Sequence, residues 1–235
     1  MVLGWAIPPP LSEVTKSPEE FAKEREAMVA RLIRQGFIKS PVIAQAMRSV
    51  PRENFTPIEY RDYAYRELPF PLPGDGKNQT ISCPHSYPLF YEALELMRGD
   101  RFLEIGTGSG YGAALAREII GDEGVVTTIE IDPRTYNFAK KNLVALSYHD
   151  ILSILGDGSE GYAPRAPYDK ICVTAACPRV PPPLIQQLRV SGRIAAPIGH
   201  SQTPQSLTIS EKTGDFRIRS WFVEKVLYVP LLGRY

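Results

Sequence analysis

The sequence predicts an α/β protein built on a mostly parallel sheet, with helices on both faces and an antiparallel hairpin at one edge. Three observations carry that prediction. Strand-like and helix-like runs alternate from residue 101 to residue 198, a glycine-rich turn follows the first of those strands, and two extended runs at 206–211 and 216–229 flank the turn Thr213-Gly214-Asp215. Alternating strands and helices make parallel β-α-β units with right-handed crossovers, whereas adjacent extended runs joined by a tight turn pair antiparallel.

Residues 1–16, with prolines at 8, 9 and 10, read as an extended arm. Ser17-Pro18-Glu19-Glu20 then starts a helix, with a serine cap, proline at the first helical position and Glu20 three residues after the cap. Phe21, Met28, Val29, Leu32 and Ile33 fall on one side of it, and Gly36 marks its end. Ser40-Pro41 opens a second helix over 42–50, which Pro51 stops. From Pro51 to Ser86 no periodicity is sustained. A structureless run of that length in a compact domain is functional or disordered, and its many tyrosines and phenylalanines oppose disorder. It reads as an ordered wrap around a site, leading into a helix over 86–97.

The α/β alternation follows. A strand at 101–105 enters a turn with Gly106, Gly108 and Gly110, and a helix runs from 109 to 120. Strands at 125–130, 151–155, 168–174 and 193–198 are separated by helices at 133–146 and 183–190, with Gly156-Asp157-Gly158 after the third strand. The organisation expected is an arm (1–16), helices and wrap (17–98), and a ligand-binding α/β unit (99–235).

In such sheets ligands bind beyond the carboxyl ends of the strands. A dinucleotide turn, G-x-G-x-x-G, would need glycine at 111, where Tyr111 stands. The pattern Glu104-x-Gly106-x-Gly108-x-Gly110 instead resembles the first motif of class I S-adenosylmethionine-dependent methyltransferases; a tight turn without a ligand is the alternative. Glu130 ends the second strand, where a carboxylate accepts hydrogen bonds from a ribose diol or caps the next helix. Asp157 could meet an adenine amino group, with Gly158 leaving room for the ring, or the pair could be an ordinary turn. Thr174-Ala175-Ala176 ends the next strand with small side chains, as a close ligand would require or as helix packing explains equally well. Glu104 could serve the cationic end of a ligand, directly or through water, or order the loop. A sulfonium donor suits these acids, and methyl transfer to a carboxylate needs no general base because the acceptor is already ionised at neutral pH.

Charge and cysteine content narrow the classes further. With 27 basic and 26 acidic residues and no basic stripe, nucleic acid is not an expected partner. Neither a leader nor an apolar run of about 18 residues is visible, so a cytoplasmic protein with no membrane association is expected. Three cysteines (Cys83, Cys172, Cys177) show no C-x-x-C pairing, and the histidines His85, His149 and His200 do not cluster with them, which predicts free thiols and no metal.

The chain resembles the protein-L-isoaspartate (D-aspartate) O-methyltransferases from about residue 28 to residue 232. The phrases that carry the resemblance are AMRSVPRENFTP (46–57), Ala64-Tyr65 with Leu68-Pro69, QTISCPH (79–85), LEIGTGSGYGAALA (103–116), TTIEIDP (127–133), GDGSEGYAPRAPYDKICVTAACP (156–178), PPPLIQQLRVSGRIAAPIG (181–199) and VLYVPL (226–231). The glycine motif is general to class I enzymes; the Q-T-I-S and Y-V-P-L phrases are far more specific. The resemblance implies a Rossmann-like class I methyltransferase with a seven-stranded sheet, S-adenosyl-L-methionine as methyl donor, and isoaspartyl-containing peptides and proteins as partners. It also implies site roles: Ser82 as the catalytic position; Thr80, Ile81, Glu104, Gly106, Gly108, Ser109, Glu130, Ile131, Asp157 and Gly158 around the donor; and Gln79, Tyr228, Val229 and Leu231 around the substrate, the 228–231 backbone taking the peptide as an added extended segment.

The arm before Ser17, the longer 73–78 segment, Cys83 and Ser86-Tyr87 depart from the family pattern. All of these departures are expected to border the substrate mouth. Two alternatives follow: a related carboxyl methyltransferase acting on another peptide carboxylate, and a nucleotide-binding module without turnover. Oligomeric state is not fixed by the sequence.

Overall fold

The structure, a computed structural model, describes residues 7–74, 79–214 and 217–234. Residues 7–16 of the arm run extended along the wrap: the Leu11 amide donates to the Glu59 carbonyl, and the Thr15 amide and hydroxyl donate to Asp62 Oδ2. Helix α1 (Pro18–Arg34) opens with the expected reciprocal cap, Glu20 N donating to Ser17 Oγ and Ser17 N to Glu20 Oε2. Phe21, Met28, Val29 and Leu32 are buried, but Ile33 is 43% exposed. Each helical residue advances about 100°, so Ile33 lies a full step beyond the stripe centred on Leu32 and Met28.

Helix α2 (Pro41–Ser49) packs on α1, and the wrap follows. It is ordered, with 3₁₀ turns at Arg52–Phe55 and Ile58–Tyr63 and a two-residue antiparallel pair, β1 (Phe70–Pro71) with β2 (Thr80–Ile81). Residues 75–78 of the longer 73–78 segment lie outside the described residues. Helix α3 (Ser86–Leu94) stops three residues short of expectation, because Glu95 turns left-handed (φ 53°) and the Asp100 carboxylate accepts from Met97 N.

The strands β3 (Arg101–Ile105), β4 (Val125–Glu130), β5 (Leu152–Leu155), β6 (Tyr168–Val173), β7 (Leu188–Ile198), β8 (Gln205–Gly214) and β9 (Arg217–Val226) form one sheet in the order β5-β4-β3-β6-β7-β8-β9. The first five pair parallel, while β7, β8 and β9 pair antiparallel. Strand order reverses at β3, which lies between β4 and β6, and this places a crevice above the ends of those strands. Phe102 enters one core and Leu103 and Ile105 the other, as alternating strand side chains must. The first core is covered by α1, α2, α3, α4 (Tyr111–Ile120) and α5 (Pro133–Ala145). The second is covered by α6 (Pro182–Gln187) and short 3₁₀ turns near 158–165.

Other boundaries differ from the sequence reading as well, two of them where another part of the fold captures the chain. Helix α6 ends at Gln187 rather than 190, and Leu188 already pairs with Tyr168 in the sheet. A buried leucine satisfies either element; the open edge of β6 captures it, with Ser191 turning left-handed (φ 65°) next to the register shift. The last strand ends at Val226 rather than 229. Beyond it the chain leaves the sheet edge as a strap and bridges Pro230 to Ala176 at the end of β6. Asp215 and Phe216 of the hairpin turn fall outside the described residues. Among the described residues no helix is long and apolar enough to cross a membrane.

Candidate active site

The turn after β3 is shaped by contacts that exclude side chains. Gly106 has φ 93°, and a Cβ there would lie 2.3 Å from Thr174 Oγ1, whose hydroxyl donates to the carbonyls of Ile105 and Gly106 at 2.9 Å. Helix α4 begins at Tyr111, leaving Ser109 in the turn, where Tyr111 N donates to Ser109 Oγ and Asn142 Nδ2 to its carbonyl. Gly112 allows α4 to approach the site. Its Cβ would stand 2.2 Å from Glu104 Oε1.

Glu104 is 2% exposed and accepts from Thr128 Oγ1 at 2.7 Å; burial, aided by the nearby Glu130 charge, pushes its carboxyl up to about 8. Thr107 and Thr128 share a hydroxyl hydrogen bond beside it. Glu130 accepts main-chain N–H bonds from Gly108, Ile131 and Asp132 at 3.0–3.1 Å. Burial raises its carboxyl and those amides oppose the rise. Its four lone-pair positions are not exhausted by three donors.

Two connected chambers lie above these strands. The larger, about 810 Å³, is walled by Ser82, Glu104, Ser109 and Tyr228; the smaller, about 330 Å³, by Gln79, Glu130, Ile131, Gly158 and Leu231. Thr80, Gly106, Gly108, Thr174, Val229 and Pro230 line both, so one elongated ligand can pass over the glycine turn from chamber to chamber. Thirteen of the fifteen residues singled out from the sequence therefore meet in one place. Ile81 does not: it is 1% exposed and packs in the hydrophobic core below β2. Asp157 also lies outside the walls. Its Oδ1 accepts from the Ser159 amide and hydroxyl, and its Oδ2 from Arg234 N at 2.9 Å, so the strap takes the carboxylate expected to meet adenine.

The 228–231 backbone is partly engaged as well. Val229 O accepts from Ala176 N (2.7 Å), Leu231 N donates to Ala176 O (2.8 Å), and Tyr228 N donates to Gln205 Oε1. An added peptide could use only the opposite edge of the strap. The Tyr228 residue is half-buried but its phenol end is enclosed, and burial pushes it upward while the hydroxyls of Ser86 and Ser82 oppose the rise.

A sequence model of the family described as Protein-L-isoaspartate(D-aspartate) O-methyltransferase (PCMT) matches residues 23–235. The chain belongs to that family. Protein-L-isoaspartate O-methyltransferase 1 of Archaeoglobus fulgidus is 43% identical over 212 residues, which are 90% of this chain and 95% of the relative. The Protein-L-isoaspartate O-methyltransferase of Ignicoccus hospitalis is 45% identical over 213 residues, 89% of this chain and 97% of the relative. A solved structure named as a protein-L-isoaspartate O-methyltransferase superposes with a TM-score of 0.82 at 31% identity, over 89% of this chain and 66% of that one.

In this member of the protein-L-isoaspartate O-methyltransferase family, several wall residues were not singled out as site residues from sequence. Gly112 is one; its only signal is a glycine within the first turn of a helix. Ser201, Gln202, Pro204 and Lys225 are others, brought to the rim by the β7–β8 connection and β9. The histidines also do not all stand apart from the cysteines: Glu67, Cys83 and His85 place ligand-type atoms within 4.8 Å of one another. Their bonds serve to tie loops together. Glu67 Oε1 accepts from His85 N and lies 2.7 Å from His85 Nδ1, while Oε2 pairs with Arg31. Burial, reinforced by Glu67, pushes the Cys83 thiol up to about 11, which makes it inert at neutral pH.

Proposed function

We propose that this chain transfers a methyl group from S-adenosyl-L-methionine to the α-carboxylate of isoaspartyl residues in peptides and proteins. The observation that carries the reading is the shared cavity, in which Ser82 and Glu104 wall the larger chamber and Glu130 the smaller, with the glycine turn between them. These residues fit such a donor: a buried carboxylate for its cationic end, a second for the ribose, and a turn in which Gly106 leaves no room for a Cβ beside Thr174. When bound, the donor supplies a methyl group on a sulfonium whose positive charge is lost during transfer.

The chain's own part is binding and alignment. Glu130 and Ile131 hold the nucleoside end, Gly158 leaves space for the ring, and Glu104 faces the cationic end. Thr80 lines the passage between the chambers, and Ser109 the larger chamber. Ser82 donates its hydroxyl to the acceptor carboxylate and aims one oxygen at the methyl carbon. A C–O bond forms as the C–S bond breaks, its electron pair staying on sulfur, so no proton moves and no base is needed. The next backbone amide nitrogen then attacks the ester carbonyl and expels methanol, which carries off the amide proton, to give a succinimide whose hydrolysis partly restores the normal linkage. Gln79, Tyr228, Val229 and Leu231 flank the peptide on this reading, which would act on damaged proteins in the cytoplasm.

The test is incorporation of labelled methyl into matched aspartyl and isoaspartyl peptides. Labelling confined to the isoaspartyl peptide is expected, and equal labelling of the two rejects the reading. Ser82→Ala should lower kcat by about 10²-fold while leaving donor affinity within about twofold, since the hydroxyl is assigned to the acceptor.

A further inference from the structure

Arg52, in the 3₁₀ turn after α2, is fully buried at 0% exposure and lies directly behind the acceptor serine. Its Nε donates to the Ala64 carbonyl at 2.7 Å and its Nη2 to the Ser82 carbonyl at 2.6 Å. The guanidinium carbon sits 5.7 and 5.2 Å from the ring centres of Tyr87 and Tyr111, and Nη1 has no hydrogen-bond partner among the described residues.

Among the described residues no carboxylate pairs with this cation. Its neighbour Glu53 is taken by Arg25 and by the Tyr65 hydroxyl. Glu67 is taken by Arg31 and His85. Carbonyl oxygens and ring faces soften a buried positive charge without neutralising it, and an uncompensated buried charge is among the most destabilising features a fold can carry. Loop anchoring alone does not require a charge, because a neutral donor could bind the same carbonyls. The positions through which the guanidinium faces the larger chamber are Ser82 and Tyr87, both of them wall residues.

We propose that Arg52 is a positioning residue and buried counter-charge for the acceptor subsite: it fixes the Ser82 main chain and selects an anionic carboxylate over a neutral group of the same shape. The missing partner of the guanidinium is the substrate's own charge, acting across one peptide unit and one tyrosine ring. This rests on the assignment of the acceptor to Ser82 under the proposed function. The Tyr87 phenol, pushed up to about 12 chiefly by burial and pulled the other way by Arg52, stays neutral at this point.

Binding of three peptides of one sequence, carrying isoaspartate, its neutral α-carboxamide and ordinary aspartate, tests this by calorimetry on protein saturated with S-adenosylhomocysteine. The wild type should prefer isoaspartate to the carboxamide by at least about tenfold, and Arg52→Met should bring that ratio close to one. Arg52→Lys keeps the charge but cannot span both carbonyls, so it should preserve the ratio and lower kcat by about tenfold. A ratio near one in the wild type, or an unchanged ratio in Arg52→Met, overturns the inference. Should Arg52→Met lose S-adenosylhomocysteine binding, Arg52→Lys decides: unchanged kcat overturns the inference, and a fall with the ratio preserved supports it. Equal affinity for isoaspartate and aspartate rejects the isoaspartyl reading and leaves the carboxylate-to-carboxamide ratio to judge Arg52 separately.

Discussion

Glu104 shows how burial sets chemistry at a single residue. Its carboxyl is pushed from an ordinary value of 4.5 up to about 8, so in the ligand-free protein at pH 7 it is mostly protonated, and a cation placed beside it draws the proton off. Donor binding at pH 7 should therefore release protons, and affinity should rise with pH up to about 8. Calorimetry in buffers of different ionisation enthalpy would detect the release, which Glu104→Gln should abolish. The same shift fixes the sign of a stability effect. Between about 4.5 and about 8 the folded state holds the proton that the unfolded chain has lost, so this residue's contribution to stability falls as pH rises through that window. The identities of the acids were legible from their positions at strand ends. Their environments were not, because desolvation depends on which helices and threonines close over them.

At the scale of elements, the approach of α4 to β3 depends on a residue that intrinsic propensity disfavours. Glycine in the first turn of a helix costs up to about 1 kcal/mol relative to alanine. At Gly112 a methyl group would collide with Glu104 Oε1, whose companion oxygen Oε2 is held by Thr128, in a buried site with little freedom to give. Gly112→Ala should therefore destabilise the protein by about 1–2 kcal/mol net, the overpacking penalty exceeding the propensity gain. Thermal unfolding checks it, and a raised Tm would show that Glu104 can swing aside. The periodicity of α1, the β-branched run of β4 and the alternation of strand-like and helix-like runs made these elements legible. The ends of α6 and β9 were not legible, since Leu188 and Leu227 to Val229 suit more than one element and hydrogen bonding to β6 and Ala176 decides between them.

Across the whole molecule the cavity is a composite: the wrap supplies Gln79, Thr80 and Ser82, the sheet supplies its acids and glycines, and the strap closes over both. A ligand reaching all three should raise Tm by mass action, by an amount equivalent to about 2.7 kcal/mol at a hundredfold excess over Kd. S-adenosylhomocysteine should do so in the wild type and markedly less in Glu130→Ala, as differential scanning fluorimetry would show; an equal shift in both would remove Glu130 from the nucleoside site. The sequence by itself determined the alternating architecture, the glycine turn and the acids above it, because these follow from local periodicity and from backbone angles that particular residues demand. Only the tertiary structure decided that Arg52 lies behind Ser82 with no carboxylate partner among the described residues, that Arg234 takes Asp157, and that the strap spends one edge on Ala176. Each of these joins residues dozens of positions apart, and packing sets which donors and charges are left to meet.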